Sequence, residues 1–100
     1  IQVFDTEGKL LDHWGSEGAE PGKLYYPYSL VLVGKGHNYI CEYGNHRVQK
    51  FTTDGKSLAR WGERGREPGQ LNNPWAIHFD SQGRLHVLDS NNHRVQRIQF

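Results

Sequence analysis

The feature that most constrains the fold of this chain is an internal repeat with a period of 47 residues. Residues 1–47 and 48–94 align without a gap, and 18 of the 47 positions are identical. The matched positions include Trp14-Gly15 with Trp61-Gly62, and Asn45-His46-Arg47 with Asn92-His93-Arg94. A gapless repeat of this length indicates two copies of one structural unit, each of which packs on its neighbour.

The repeat divides the chain into a first unit at residues 1–47, a second unit at 48–94 and the start of a third copy at 95–100. In that third copy, residues 95–98 repeat residues 48–51 and 1–4. The chain is therefore predicted to end in the same structural element in which it begins. Because Ile1 falls within a predicted strand and is not an initiator Met, one expectation is an excised or processed fragment.

Each unit contains four short runs that are typical of strands, separated by turn residues. The runs are 30–33, 39–42, 47–51 and 58–61, with their counterparts at 76–80, 86–89, 94–98 and 10–14. Glu7-Gly8 and Asp54-Gly55 stand where a hairpin must join strands three and four, and Gly36 and Gly83 stand between strands one and two. Four antiparallel strands in about 45 residues are typical of a propeller blade. The predicted fold class is all-β, with two four-stranded antiparallel propeller blades per chain.

The segments Gly44-Asn45-His46-Arg47-Val48-Gln49 and Asn91-Asn92-His93-Arg94-Val95-Gln96 resemble the motif of NHL repeats. Glu-Pro-Gly-Lys-Leu or Glu-Pro-Gly-Gln-Leu, a following Pro, and an acidic residue at the end of strand two add to the resemblance, which covers the whole chain. It implies a six-bladed propeller that serves as a binding platform for proteins and, in some branches, for single-stranded RNA. A minority of the family are lyases or lie in ectodomains of bacterial kinases. A shared fold does not carry an activity with it.

The repeated motif is predicted to be structural, with ligand contact as the alternative. Its Asn and His lie at the turn between strands two and three, where short polar side chains can bond turn amides. Each Arg lies across that turn from an acidic residue, which predicts one local ion pair per copy. The structural set is Glu42, Asn45, His46 and Arg47 in the first copy, and Asp89, Asn92, His93 and Arg94 in the second. Trp14 and Trp61 are expected to pack between blades.

The expected partner of the chain is the chain itself. A blade is apolar on both faces because each face stacks on a neighbouring blade, so two blades leave two faces uncovered. Three copies supply six blades, and a head-to-tail contact can close such a ring, which predicts a C3 homotrimer. A tetramer with eight blades and excision from a longer propeller are the alternatives. In a ring, residues 1–4 and 95–98 compete for one strand position, so either segment can complete the shared blade.

Binding sites are expected where the two copies differ. Tyr25, Tyr26 and Tyr28 correspond to Asn72, Asn73 and Trp75. In a ring these side chains would form an aromatic and amide-rich surface near one end of the inner strands, which is suitable for a protein or peptide ligand. The alternative is that they pack the ends of adjacent blades.

Catalysis and cofactors are not expected. The Ser residues lack a partnered motif, and Cys41 lies within a predicted strand, where a buried thiol is the simplest interpretation. His78 is the one weak candidate for a metal ligand, because a threefold axis could bring three copies together, but no short-spaced Cys/His pair supports it. A metal-dependent lyase of the NHL type is the remaining enzymatic alternative.

The charge balance argues against a dedicated nucleic-acid-binding domain. Twelve basic and eleven acidic residues give a net charge of +1, although Arg60, Arg64 and Arg66 cluster in one loop and Lys35 adds to the basic residues. Single-stranded RNA therefore stays an alternative ligand. No apolar run approaches the roughly 20 residues of a membrane-spanning helix, so no membrane partner is expected. The single Cys excludes an internal disulfide and leaves the compartment undetermined.

Overall fold

The computed structural model describes residues 1–34 and 36–99 of the chain. Lys35 and Phe100, the last residue of the predicted third copy, lie outside the described residues. The described residues form nine strands and one short 3-10 helix. The strands are β1 (Gln2–Phe4), β2 (Leu10–His13), β3 (Pro27–Val33), β4 (His37–Glu42), β5 (Arg47–Thr52), β6 (Ser57–Trp61), β7 (Ala76–Phe79), β8 (Leu85–Asp89) and β9 (Arg94–Ile98), and the 3-10 helix is Ser90–Asn92.

The strands form three antiparallel sheets, which confirms the all-β prediction. The N-terminal sheet has the order β1-β2, the central sheet β3-β4-β5-β6 and the C-terminal sheet β7-β8-β9. The central sheet is the four-stranded unit that the repeat predicts. By the 47-residue correspondence, the N-terminal sheet contains the third and fourth strands of such a unit, and the C-terminal sheet contains the first three.

The first strand of the central sheet begins at Pro27, three residues before the predicted run at 30–33. Pro27 pairs with Glu42, and Ser29 pairs with Cys41, so the register shifts between them as in a β-bulge. Proline is tolerated at the first residue of an edge strand because no ladder hydrogen bond needs its missing N–H. The sequence pattern predicted a start at residue 30 because Tyr28 and Ser29 interrupt the apolar run.

Two glycines separated by one repeat form the hairpin turns before the fourth strands. Gly8 has a φ of +86° and Gly55 a φ of +92°, a conformation that side chains other than glycine rarely adopt. A Cβ at Gly8 would meet no atom within 4 Å, whereas a Cβ at Gly55 would lie 2.5 Å from the Trp14 ring. Gly55 therefore also makes room for a side chain from the neighbouring sheet.

Side chains alternate between the two faces of each sheet. We call the face towards the preceding part of the chain the leading face, and the face towards the following part the trailing face. In the central sheet, the leading face includes Ile40 and Phe51, which cluster with Leu24 and with Ile1 and Trp14 of the N-terminal part of the chain. The Trp14 and Phe51 rings are 5.0 Å apart, so this Trp packs between sheets as predicted.

The trailing face of the central sheet packs on the leading face of the C-terminal sheet. Tyr39, Cys41 and Val48 on the trailing face form one buried cluster with side chains of the C-terminal part of the chain. Those partners are Leu71, Ile77, Leu85 and Val87, with Phe79 and Ile98 packed at the margin together with Trp61 from β6 of the central sheet. We call this contact the internal junction. It holds most of the buried apolar side chains of the chain.

One face stays partly uncovered and another uncovered in the single chain, because the N-terminal part of the chain covers Ile40 and Phe51 but not the β3 side of the leading face of the central sheet. On the leading face of the central sheet, Leu30 is 45% and Leu32 is 61% exposed, although their repeat counterparts Ile77 and Phe79 pack in the internal junction. On the trailing face of the C-terminal sheet, Leu88 is 43% and Val95 is 59% exposed, whereas their counterparts Cys41 and Val48 are fully buried. Apolar side chains that are exposed together in this way mark an interaction surface.

Candidate functional site

One end of the sheets carries the repeated motif and every candidate binding residue. At this end β3 begins, β4 turns into β5, and β6 ends, so the turn 43–46 lies beside the loops 14–26 and 62–75. Arg47 starts β5 and is 5% exposed, and its Nε donates to Glu42 Oε2 at 2.7 Å. Its guanidinium also donates to the carbonyl oxygens of Ala19, Glu20 and Lys23. The ion pair thus fixes the preceding loop onto the sheet.

The second copy repeats this network with small differences. Arg94 Nε donates to Asp89 Oδ2 at 2.7 Å, and the guanidinium donates to the carbonyl oxygens of Glu67 and Gln70. The Arg94 side chain is 30% exposed against 6% for Arg47, while both acidic side chains are fully buried. Burial raises the pKa of Asp89, but hydrogen bonds from the Asn72 amide, Asn92, Arg94 and Gln96 outweigh it and leave this pKa below its usual value.

The motif asparagines bond the preceding loop and the acidic residue, not the amides of their own turn as expected from the sequence. Asn45 Nδ2 donates to the Gly18 carbonyl oxygen at 2.8 Å and to Glu42 Oε1 at 2.7 Å. Asn92 Nδ2 makes the corresponding bonds to the Gly65 carbonyl oxygen and Asp89 Oδ2. The reason is that a buried carboxylate must be satisfied by hydrogen-bond donors, and the side-chain N–H groups of the two asparagines supply them.

The motif histidine of the first copy joins two neighbouring sheets. His46 has a φ of +53°, and its Nδ1 accepts a hydrogen bond of 2.9 Å from the Asn73 amide, which lies before β7. Asn73 Nδ2 also donates to the Tyr43 carbonyl oxygen at 3.1 Å. Burial, with the charge of Arg64 as a smaller cause, lowers the pKa of His46, and Asp89 opposes this shift. The lowered pKa favours the neutral ring, and the neutral ring can accept this hydrogen bond at Nδ1.

The predicted aromatic residues lie together on this end of the chain. Tyr28 stacks on Tyr43 with ring centroids 4.7 Å apart, and Trp75 meets Tyr28 edge-on at 5.8 Å. Tyr26 meets both rings of the stacked pair edge-on and lies 4.7 Å from Tyr25. Tyr26, Tyr28 and Trp75 are each at least half exposed. We call Tyr25, Tyr26, Tyr28, Tyr43 and Trp75 the aromatic surface.

Sequence comparison of the two copies missed Tyr43, which lies at the centre of this surface. Its counterpart Ser90 differs from it as strongly as Asn72 differs from Tyr25, so the same comparison could have found it. The predicted amides contribute less to the exposed surface. The Asn73 side chain donates to the Tyr43 carbonyl oxygen and accepts from Asn91 at 2.7 Å, while the backbone N–H groups of Asn73 and Asn72 donate to His46 and Asp89. The Asn73 side-chain amide is therefore engaged by the turn after β4 and by the 3-10 helix.

A basic cleft lies beside the aromatic surface on the same end. It has a volume of about 510 Å³, and its lining includes His46, Arg60, Arg64 and Glu63. Arg60 and Arg64 are exposed and form no ion pair within residues 1–34 and 36–99, whereas Arg47 at the cleft floor is paired with Glu42. The cleft can bind an anionic group, although Glu63 reduces its positive potential.

The remaining candidate groups do not assemble into a metal site in the described part of the chain. No three His, Cys, Asp or Glu side chains among the described residues lie close enough to hold a metal ion. His78 is exposed on β7 opposite His86, whose Nε2 lies 2.8 Å from Asp80 Oδ2. Hydrogen bonds from His86 and Arg84 hold the pKa of Asp80 well below its usual range. Burial, with the Glu42 charge, raises the pKa of the Cys41 thiol to about 12, so this thiol is not a ready nucleophile.

A four-stranded antiparallel sheet that stacks face to face with two partial copies of the same 47-residue unit fits a fragment of a β-propeller. Comparison with known families gives a more specific assignment, because the family model of the NHL repeat matches residues 71–98. This segment contains β7, β8 and β9 and the second Asn-His-Arg motif, and it confirms the resemblance to NHL-repeat proteins there. No curated protein matches the chain. No helix among the described residues is long and apolar enough to cross a membrane.

Proposed function

We propose that the chain is a non-enzymatic NHL propeller fragment that self-assembles into a closed ring and presents its aromatic surface as a binding platform. The observation that carries the proposal is the correspondence between the two uncovered faces and the two faces that pack at the internal junction. A second copy can repeat that junction, with the trailing face of one C-terminal sheet covering the leading face of the next central sheet. Three copies then supply six blades around a threefold axis.

The exposed strand edges support the same arrangement. β9 is the edge of a three-stranded sheet, and β2 pairs only with β1. In the central sheet, β5 pairs with β6 through Val48↔Trp61 and Gln49↔Arg60. The same register is available to β9 of one copy on β2 of the next, but β1 already pairs with β2 in the corresponding register, so β9 would have to replace β1 there. The edge of β9 that would face β2 has no partner strand within residues 1–34 and 36–99. Unpaired edges of this kind are templates for another strand.

The solution mass of the 100-residue chain tests the proposal. Light scattering should give three times the 11.5 kDa of one chain. A mass of one chain at all concentrations would contradict self-assembly, and a mass of four chains would replace six blades with eight.

Two charge substitutions test whether the contact is head-to-tail. Leu32→Asp damages only the leading face and Leu88→Asp only the trailing face, so each variant alone should be monomeric. An equimolar mixture retains one intact pair of faces and should form a dimer of one chain of each kind. A mixture that stays monomeric, while the unsubstituted chain is a trimer, would show that the ring closes through other surfaces.

The aromatic surface is the proposed ligand site of this platform. Its half-exposed Tyr and Trp rings are the side chains that dominate protein-binding surfaces, because they offer large contact areas at low entropic cost. In a trimer, three such surfaces would face one end of the ring. Multivalent display would then strengthen the binding of a ligand that reaches two of them.

Single-stranded RNA is the second candidate ligand because the basic cleft adjoins the aromatic surface. Stacking on aromatic rings next to guanidinium groups is how proteins bind unpaired bases and their phosphates. Fluorescence anisotropy with a labelled single-stranded oligonucleotide would separate the candidates. RNA binding requires an affinity that falls steeply with salt and falls further in Arg60→Glu/Arg64→Glu. A salt-independent or absent signal would leave a protein or peptide ligand.

A further inference from the structure

A groove of about 430 Å³ lies next to the uncovered leading face of the central sheet, between the loop 14–26 and the start of β3. Its lining includes Gly15, Leu24, Tyr26 and Pro27. The backbone N–H of Tyr26 has no acceptor within residues 1–34 and 36–99 and is available to one at this groove. Tyr26 has a φ of +49°, which fixes the direction of this amide.

The counterparts of these residues, one repeat later, surround the motif turn of the central sheet. Gly62 lies against the Leu71 side chain and the His46 carbonyl oxygen, at 2.7 and 3.2 Å from the position of a Cβ on Gly62. Asn73, with a φ of +50°, donates its amide to His46 Nδ1 at 2.9 Å. At the internal junction the corresponding space is thus filled by the turn 43–46.

The groove has the same shape as the space that the turn 43–46 fills at the internal junction. Leu24 Cδ1 lies 3.1 Å from the position of a Cβ on Gly15, as Leu71 does from Gly62 at 2.7 Å. The φ angles of Tyr26 and Asn73 differ by one degree. What the groove lacks is a turn with a left-handed His to fill it.

The chain exposes such a turn at its other end. The turn from Ser90 to His93 corresponds to the turn 43–46, and His93 has a φ of +54° against +53° for His46. Asn92 fixes it to Gly65 and Asp89 as Asn45 fixes the first turn. His93 is exposed, and its ring bonds no group within the described residues. Groove and turn are therefore complementary but belong to opposite ends of the chain.

We infer that the groove is the receptor for the turn 90–93 of a second copy. The Tyr26 amide of one copy donates to His93 Nδ1 of the other, and Gly15 lies between Leu24 and the incoming His93 carbonyl oxygen, as Gly62 lies between Leu71 and the His46 carbonyl oxygen. The inference rests on the proposed ring, and it identifies the polar contact that sets the register between copies. Because the contact continues the geometry of the internal junction, a second copy is the occupant that the groove fits.

His93→Gly removes the acceptor and tolerates the left-handed backbone, since glycine adopts positive φ at no steric cost. Loss of one neutral hydrogen bond weakens a junction by about tenfold. Three junctions multiply this to about a thousandfold in the trimer dissociation constant. Because the half-assembly concentration varies as the square root of that constant, it should rise about thirtyfold by analytical ultracentrifugation.

His93→Asn is the matched control. The Oδ1 of Asn occupies nearly the position of Nδ1 in His, and Asn also tolerates a positive φ, so this variant should assemble nearly as the unsubstituted chain does. Amide hydrogen exchange at Tyr26 gives a second measurement. The amide should be protected in the assembled chain and in His93→Asn, and unprotected in assembled His93→Gly.

The outcomes separate this inference from the proposed ring. A chain that is monomeric without substitution contradicts the ring itself. A trimer whose half-assembly concentration is unchanged in His93→Gly, or whose Tyr26 amide exchanges freely, retains the ring and overturns the inference. Equal weakening by His93→Gly and His93→Asn overturns it too, because the acceptor atom would then not matter.

Discussion

Removal of the Arg47 side chain should destabilise the chain far more than removal of its repeat counterpart Arg94. Both guanidinium groups lie 2.7 Å from a fully buried carboxylate, but Arg47 is 6% exposed and Arg94 is 30% exposed. In Arg47→Ala, Glu42 keeps only its bonds to the Tyr25 amide, Asn45 and Gln49. A buried charge that loses its partner costs about 3–5 kcal/mol.

The cost at Arg94 should be smaller because water can replace the guanidinium. Because the Arg94 side chain is already partly exposed to water, Arg94→Ala should lower the free energy of unfolding by about 1–2 kcal/mol. The two variants should therefore differ by about 2–3 kcal/mol. Urea unfolding followed by Trp fluorescence, at a concentration where the chain is monomeric, measures both values.

A double variant shows whether the uncompensated charge is the cause. Glu42→Gln in the Arg47→Ala background neutralises the carboxylate and should recover part of the lost free energy of unfolding. Equal costs for Arg47→Ala and Arg94→Ala, or no recovery in the double variant, would refute this reasoning. Residues 62–64 line the cleft beside Arg47, so in the proposed ring residues 15–17 of the next copy would lie beside Arg94, and the cost of Arg94→Ala should also rise on assembly.

Two further predictions concern a turn glycine and the motif histidine. Gly8→Ala and Gly55→Ala impose the same strain from positive φ, of about 1–2 kcal/mol, but only Gly55→Ala pushes a methyl group into Trp14. Gly55→Ala should thus cost about 2 kcal/mol more in urea unfolding, and equal costs would show that Trp14 moves away freely. The lowered pKa of His46 means that the unfolded chain binds its proton first. Its contribution to stability should be complete above the usual value of 6.5 and should decrease as the pH falls towards the folded pKa. Urea midpoints between pH about 5 and 7 should show this slope, and His46→Asn, which keeps an acceptor and does not titrate there, should reduce it; an unchanged slope would exclude His46 as its source.

The repeat made most of the fold predictable. Its glycines and alternating apolar runs set the strand order and the hairpins, because turn geometry and side-chain alternation are local properties. The start of β3 was not predictable, since the bulge at Pro27 and Ser29 depends on pairing with β4. The bonds of Asn45 and Asn92 to the carbonyl oxygens of Gly18 and Gly65 were also missed, because these partners lie 27 residues away in the chain.

The candidate site was predictable in part for the same reason. Differences between the copies pointed to Tyr25, Tyr26, Tyr28 and Trp75, which the structure brings together in one surface. Tyr43 was missed because the other four aromatic residues lie near the starts of β3 and β7, whereas Tyr43 lies in the turn after β4 and stacks on Tyr28 only in the folded chain. The junction role of His46 needs the position of the next sheet, which no local pattern contains.

The hydrogen bonds between each repeated motif and the loop that precedes its sheet affect how the chain folds. Asn45, Arg47 and Gln49 bond residues that precede them by 24 to 28 positions, and Asn92, Arg94 and Gln96 do the same one repeat later. Each network can form as soon as its own third strand exists, without waiting for the rest of the chain. Short loop closures of this kind favour fast formation of each unit and directional growth from the first to the second. During synthesis, the chain can therefore form the first of these hydrogen-bond networks before the second unit is complete.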